Sequence, residues 1–136
     1  MARILNVILI LILSFVSVPV KAEQSLSTLV TVQNVSFEQC VKMYGIDTEN
    51  LFYLTLASIN ANRFNVVEIQ SKTGYILFNA VGKEFLAKII KLDDSRSILK
   101  VTPTNNIYYF QPGIVLNLFK YIELNSTLKP VDVPVI

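Results

Sequence analysis

The chain has 136 residues, 52% of them apolar, with twelve Lys or Arg against ten Asp or Glu, one cysteine, no histidine and no tryptophan. That length and apolar content fit about one globular domain and do not fit a disordered chain. A lone cysteine cannot build a disulfide framework, the lack of histidine removes His-based triads and zinc sites, and the near balance of charge removes a strongly basic nucleic-acid surface.

Met1-Ala2-Arg3 opens the chain, and Ile4 to Val18 follows with only Asn6, Ser14 and Ser17 as polar interruptions. Pro19-Val20-Lys21-Ala22 comes next, then Glu23. A positive start, an apolar run and small or medium residues two apart before a cut are the parts of a secretory signal peptide, so residues 1–22 are expected to be removed after Ala22. The apolar run is short for a spanning helix, which needs about 20 residues, and an uncleaved N-terminal anchor is the alternative. Residues 1–22 hold two of the basic residues, Arg3 and Lys21, and no acid, so the remainder carries ten of each sign and is formally neutral. It has no long-range field to steer polyanions. Cys40 lies far from the expected cut and reads as a buried small hydrophobe, with an intermolecular disulfide as the other option.

Residues 23–35 form a mixed N-terminal extension in which Leu29, Val30 and Val32 suit a short strand. Ser36 and Gln39 have the spacing of a capping box, and Phe37, Cys40, Val41 and Tyr44 follow at helical spacing, which predicts a helix over 37–44 ended by Gly45. Asp47 predicts the N-cap of a second helix over 48–62, with Glu49 at the positive end of its dipole. Phe52, Leu56 and Ile59 give that helix an apolar stripe, widened by Leu51, Tyr53, Leu54 and Ala57. No residue from Leu51 to Asn62 is charged, so the helix is either covered on most sides or offers a face to a partner.

At Phe64 the spacing changes to that of strands. Phe64–Gln70, Tyr75–Val81, Glu84–Leu92 and Ser97–Thr102 alternate with turns at Ser71–Gly74, Gly82-Lys83 and Asp93–Arg96. Glu84–Leu92 also fits a helix, with Glu84 four residues before Lys88. Its place between two tight turns selects a strand and completes a four-stranded antiparallel meander. Pro112 predicts the start of a last helix over 112–124, with Ile114, Val115, Leu118, Phe119 and Ile122 as its apolar stripe. Residues 128–136 contain Pro130 and Pro134 and are expected to be an extended tail, along which Val131, Val133 and Val135 alternate. The fold class is thus α+β, a four-stranded antiparallel meander packed against an N-terminal and a C-terminal helix, with the domain over 36–127.

Chemistry-bearing patterns are absent. Asp93 and Asp94 are adjacent in a hairpin turn, where neighbouring carboxylates point apart and are solvated; no calcium-loop spacing, phosphate-binding glycine cluster or G-x-S-x-G elbow is present. The expectation is therefore no catalytic residue, no cofactor and no metal. Lys83, Lys88, Lys91, Arg96 and Lys100 read as solvated sheet and turn positions. The aromatic run Tyr108, Tyr109 and Phe110 is a candidate grip for an extended peptide or glycan, or else packing at a helix entry. The alternating Val131, Val133 and Val135 are a candidate for addition to a sheet edge.

The helix Leu51–Asn62, the F-x-V-x-E-I-Q-S-K-T-G-Y-I run from Phe64 to Ile76 and the closing helix together resemble the helix-grip domains of bacterial envelope lipoproteins, the BamC-like kind, over Asp47 to Leu124. Those proteins carry a lipidated cysteine after the signal, where this chain has Glu23, and no functional residue carries over. The resemblance implies a non-catalytic role in a bacterial cell envelope. The expected function is an exported, periplasmic or envelope interaction module whose partner is another envelope protein, with peripheral membrane association as a further option. A carrier of a small apolar or lipid-like ligand in a groove between sheet and helices is the alternative.

Overall fold

In the computed structural model, which describes residues 29–132, Ser36 and Gln39 form a complete capping box. The Ser36 N–H donates to Gln39 Oε1 at 2.9 Å and the Gln39 N–H to Ser36 Oγ at 3.4 Å. The helix it opens is one 3₁₀ turn, Phe37–Cys40, and not the eight-residue helix expected over 37–44. At Val41 the backbone turns extended, with φ −127° and ψ 134°, and Val41–Tyr44 becomes a strand. So short a helix is marginal on its own, whereas a strand here gains a full antiparallel ladder with Ser97–Lys100. The expected signal segment 1–22 lies outside the described residues, as do Val133 and Val135. The chain divides into two units, Met1–Val30 and Thr31–Ile136, and every element named below belongs to the second.

In chain order the strands are β1 (Gln33–Asn34), β2 (Val41–Tyr44), β3 (Asn65–Gln70), β4 (Tyr75–Ala80), β5 (Lys83–Asp93), β6 (Arg96–Pro103) and β7 (Tyr109–Phe110); the helices are α1 (Thr48–Ala61) and α2 (Gly113–Asp132). The main sheet is antiparallel and five-stranded, in the order β2-β6-β5-β4-β3. The expected meander is its β3–β6 portion; the addition is β2, which the helical spacing of residues 37–44 concealed. β1 and β7 pair separately as a two-stranded ribbon, Gln33 opposite Phe110 and Asn34 opposite Tyr109. A strand thus lies just after Leu29, Val30 and Val32 rather than on them.

The turns follow from backbone chemistry. Val81 (φ 50°) and Gly82 (φ 75°) both adopt the left-handed region between paired Ala80 and Lys83, the two-residue geometry that matches the twist of a hairpin. Gly74 (φ 73°) closes the β3–β4 turn, and a Cβ placed there would lie 3.1 Å from the Ile89 carbonyl oxygen. At the β5–β6 turn Asp93 accepts from the Ser95 N–H at 3.0 Å and from Arg96 Nε at 2.7 Å.

Strand alternation sends Tyr44, Ile76, Phe78, Phe85, Ala87, Leu99 and Val101 to one face of the sheet, where all are buried. Phe64, Phe78, Phe85 and Phe110 form a continuous aromatic ladder through it, with ring centroids 5.9, 5.5 and 5.0 Å apart. α1 lies on this face, and α2 packs beside α1. Its Phe119 meets Tyr44 edge-on at 6.4 Å, and its Glu123 pairs with Lys42, so α2 reaches the inner side of β2. The five expected stripe residues of α2, Ile114, Val115, Leu118, Phe119 and Ile122, are all buried.

Asp47 caps α1 as its chemistry requires, accepting from the Asn50 N–H at 3.2 Å. The buried stripe is rotated from the expected one: Leu51, Phe52, Thr55, Ser58 and Ile59 are inside, Leu56 is half-buried, and Tyr53 is 56% exposed. Thr55 and Ser58 are admitted to the core because their hydroxyls donate to the Leu51 and Thr55 carbonyls, each at 2.7 Å, so no polar hydrogen is left unsatisfied. The absence of charge along α1 is thus largely answered by packing. α2 runs to Asp132, so residues 128–132, Val131 among them, are helical and not an extended tail. A proline removes one helical hydrogen bond; Pro130 is a local penalty that the helix absorbs rather than its stop.

Candidate functional site

The sheet's two faces are unequal in a way that bears on function. One carries the core and both helices. The other is set out in rows by the strand register. Met43, Ile98 and Ile90 stand directly beside one another on β2, β6 and β5. The next row is Val41, Lys100, Lys88 and Tyr75, and the one after it is Thr102, Leu86 and Leu77. Among the described residues no helix packs over this face. Met43 is 56% and Ile90 37% exposed, and Val41, Leu77, Leu86 and Ile98 are half-buried. The solvent face of an antiparallel sheet ordinarily alternates to polar residues; here six aliphatic side chains occupy it. Sequence reading missed this face because the inner and outer residues of β5 and β6 are both largely apolar, so only pairing tells them apart.

The lysine row is electrostatically unusual. Lys88 and Lys100 are direct cross-strand partners, an arrangement in which like charges repel. The ion pairs among the described residues, Lys42–Glu123, Lys91–Asp94 and Arg96–Asp93, include neither. Lys88 Nζ donates to the Thr73 carbonyl at 2.5 Å. The carboxylates on this face are engaged elsewhere. Glu68 accepts from the Tyr75 hydroxyl at 2.6 Å, a bond that raises the Tyr75 pKa, and Glu84 accepts from Thr104 Oγ1 at 2.9 Å.

A second feature is a groove of about 560 Å³ between the first turn of α1 and the β3–β4 turn. Phe52 and Ile89 form its apolar base, Tyr53 one wall, and Glu49, Lys72 and Lys91 its charged rim. The volume is within the range of small-molecule sites.

The aromatic run is divided by the structure. Phe110 is buried against Phe85, Tyr108 is half-buried with its ring 6.3 Å from Phe37, and Tyr109 is 55% exposed. Tyr109 borders a hollow of about 100 Å³ with Val32 and Val81, so the three rings do not form one grip. Burial pushes the Tyr108 hydroxyl pKa up, with the nearby Cys40 adding to it. Val131 lies on α2, apart from any extended strand. Cys40 has no exposed surface, and burial pushes its thiol pKa up to about 11. Its Sγ donates to the Ser36 carbonyl at 3.6 Å. Asp93 and Asp94 do not act as a pair, since one bonds Ser95 and Arg96 and the other faces Lys91. Among the described residues no cluster of three His, Cys, Asp or Glu could hold a metal ion, and no helix is long and apolar enough to cross a membrane.

No protein-family model matches the chain, and no curated protein matches it either.

Proposed function

We propose that this protein is an exported, non-catalytic interaction domain of a bacterial cell envelope, binding another envelope protein through the outer face of its sheet. The observation that carries the reading is the Met43–Ile98–Ile90 row, a contiguous apolar strip on the side of the sheet opposite to α1 and α2, with no helix over it among the described residues. Exposed apolar surface of this kind marks association sites more often than isolated exposed residues do. The signal-like segment over residues 1–22 and the resemblance to helix-grip envelope domains supply the location. The test is in vivo cross-linking of the wild type and an Ile90→Glu variant. Loss of an envelope cross-link in a variant that melts normally supports the reading, and an unchanged cross-link pattern removes it. N-terminal sequencing of the envelope protein should begin at Glu23; an intact Met1 would replace export of a cleaved chain with an uncleaved anchor.

The groove beside α1 favours a second reading, a carrier of a small ligand. Its mixed rim fits an amphiphile better than a purely apolar molecule. Native mass spectrometry of protein isolated from its host separates the two, because a carrier retains a small molecule and the interaction domain does not.

A further inference from the structure

We infer that the segment received on the outer face is acidic and amphipathic, setting a carboxylate between Lys88 and Lys100 and apolar side chains on the rows to either side. This inference rests on the proposed interaction surface and adds the chemistry of its partner. Lys88 and Lys100 face one another across the β5–β6 register, a like-charge pairing that costs stability. The Lys88 ammonium donates to the Thr73 carbonyl, but that bond leaves both positive charges in place. Among the described residues no carboxylate pairs with either lysine: the ion pairs bypass both, and Glu68 and Glu84 of the same face accept instead from the hydroxyls of Tyr75 and Thr104. The aliphatic stems of the lysines continue the apolar surface between the Ile90–Ile98 row and the Leu77–Leu86 row. A partner that is apolar at its margins and anionic at its centre is therefore complementary in both shape of charge and hydropathy.

Two other occupants fit less well. A second copy docked by the same face across a twofold axis would set one lysine pair near the other. A bilayer places anionic headgroups around the apolar contact, which calls for basic residues at the rim, and here the basic pair is central with Glu68 and Glu84 at the border.

The chain has no tryptophan, so a tryptophan-tagged peptide reports on itself alone. The full chain is titrated with a helical Leu/Glu peptide with apolar residues at i, i+3, i+4 and i+7, and with its Glu→Gln and Glu→Lys counterparts. The expected result is binding of the Glu peptide at least about tenfold tighter than of either counterpart, an advantage abolished by Lys88→Met with Lys100→Met and weakened by salt. The doubly substituted chain should also melt no lower than the wild type, because the like-charge opposition is gone. Equal binding of the Glu and Gln peptides would overturn the acidic partner while leaving the apolar interface standing. Lysine-dependent binding to phosphatidylglycerol vesicles without peptide binding would assign the face to a membrane, and an Ile90-dependent dimer would assign it to a second copy; either overturns the inference. Failure of all probes together with an unchanged Ile90→Glu cross-link pattern would remove the surface itself.

Discussion

Cys40, at the end of the 3₁₀ turn, and Tyr44, on the inner side of β2, show what burial does to single side chains. Both are buried. Removal from water disfavours their charged forms and raises both pKa values, and for Tyr44 the charge of Glu123 acts in the same direction. The Tyr44 hydroxyl also donates to the Phe119 carbonyl at 3.4 Å, tying β2 to α2. A pKa that is higher in the folded state than in the unfolded one contributes stability that is complete below the unfolded value and lost as pH rises. For Cys40 that window runs from 9.0 to about 11. Unfolding free energy measured by denaturant titration should therefore fall as pH rises above 9, and Cys40→Ala should flatten that limb. At pH 8 the native thiol should resist alkylation and react stoichiometrically once the chain is unfolded, which mass spectrometry of iodoacetamide-treated protein would show; rapid labelling of the native state would contradict the burial.

Hairpins are where element geometry and residue identity conflict most clearly. Val81 is 60% exposed and sits at φ 50°, a region that β-branched residues rarely occupy. It packs little that would be lost on replacement. Val81→Asn should therefore stabilise the protein by about 1 kcal/mol, since Asn-Gly suits both central positions of this turn. Gly74→Ala should do the reverse and destabilise by more than about 1 kcal/mol, because the left-handed backbone and the close Ile89 carbonyl both oppose a Cβ. Thermal melts of the two single variants check the pair; a lower melting temperature for Val81→Asn would mean that Val81 supplies contacts worth more than its strain.

For the molecule as a whole, stability is concentrated in the layer between the sheet and the two helices. Phe85 stacks on Phe78 and meets Phe110 edge-on, so it joins the main sheet to the β1–β7 ribbon. Phe85→Ala should cost about 3–5 kcal/mol, a large share of the roughly 5–15 kcal/mol typical of a domain. Chemical denaturation should show a lowered midpoint, and amide exchange should show the ribbon deprotected first. The outer face stands in contrast to this layer. Ile90→Glu leaves the aromatic ladder untouched and should change the midpoint little, and that separation allows binding and folding to be tested independently.

The sequence by itself determined the capping box at Ser36, the N-cap at Asp47, the strand nature of Glu84–Leu92, the turn at Gly74 and the buried stripe of α2. Most of these rest on forces within a few residues, a side chain satisfying a nearby amide, a backbone angle or a spacing along one run; the strand Glu84–Leu92, whose own spacing also fits a helix, follows from the tight turns on either side of it. Tertiary structure alone decided that Val41–Tyr44 is a strand, because the bonds that make it one come from β6, more than fifty residues away in the chain. It alone rotated the buried side of α1 toward Thr55 and Ser58, whose polarity is cancelled by helical carbonyls that composition does not reveal. It divided Tyr108, Tyr109 and Phe110 among half-buried, exposed and core positions. The outer face was illegible for the same reason: which residues of an apolar strand meet helices and which meet water is settled by where the helices pack, and the opposition of Lys88 and Lys100 exists only once β5 and β6 are in register.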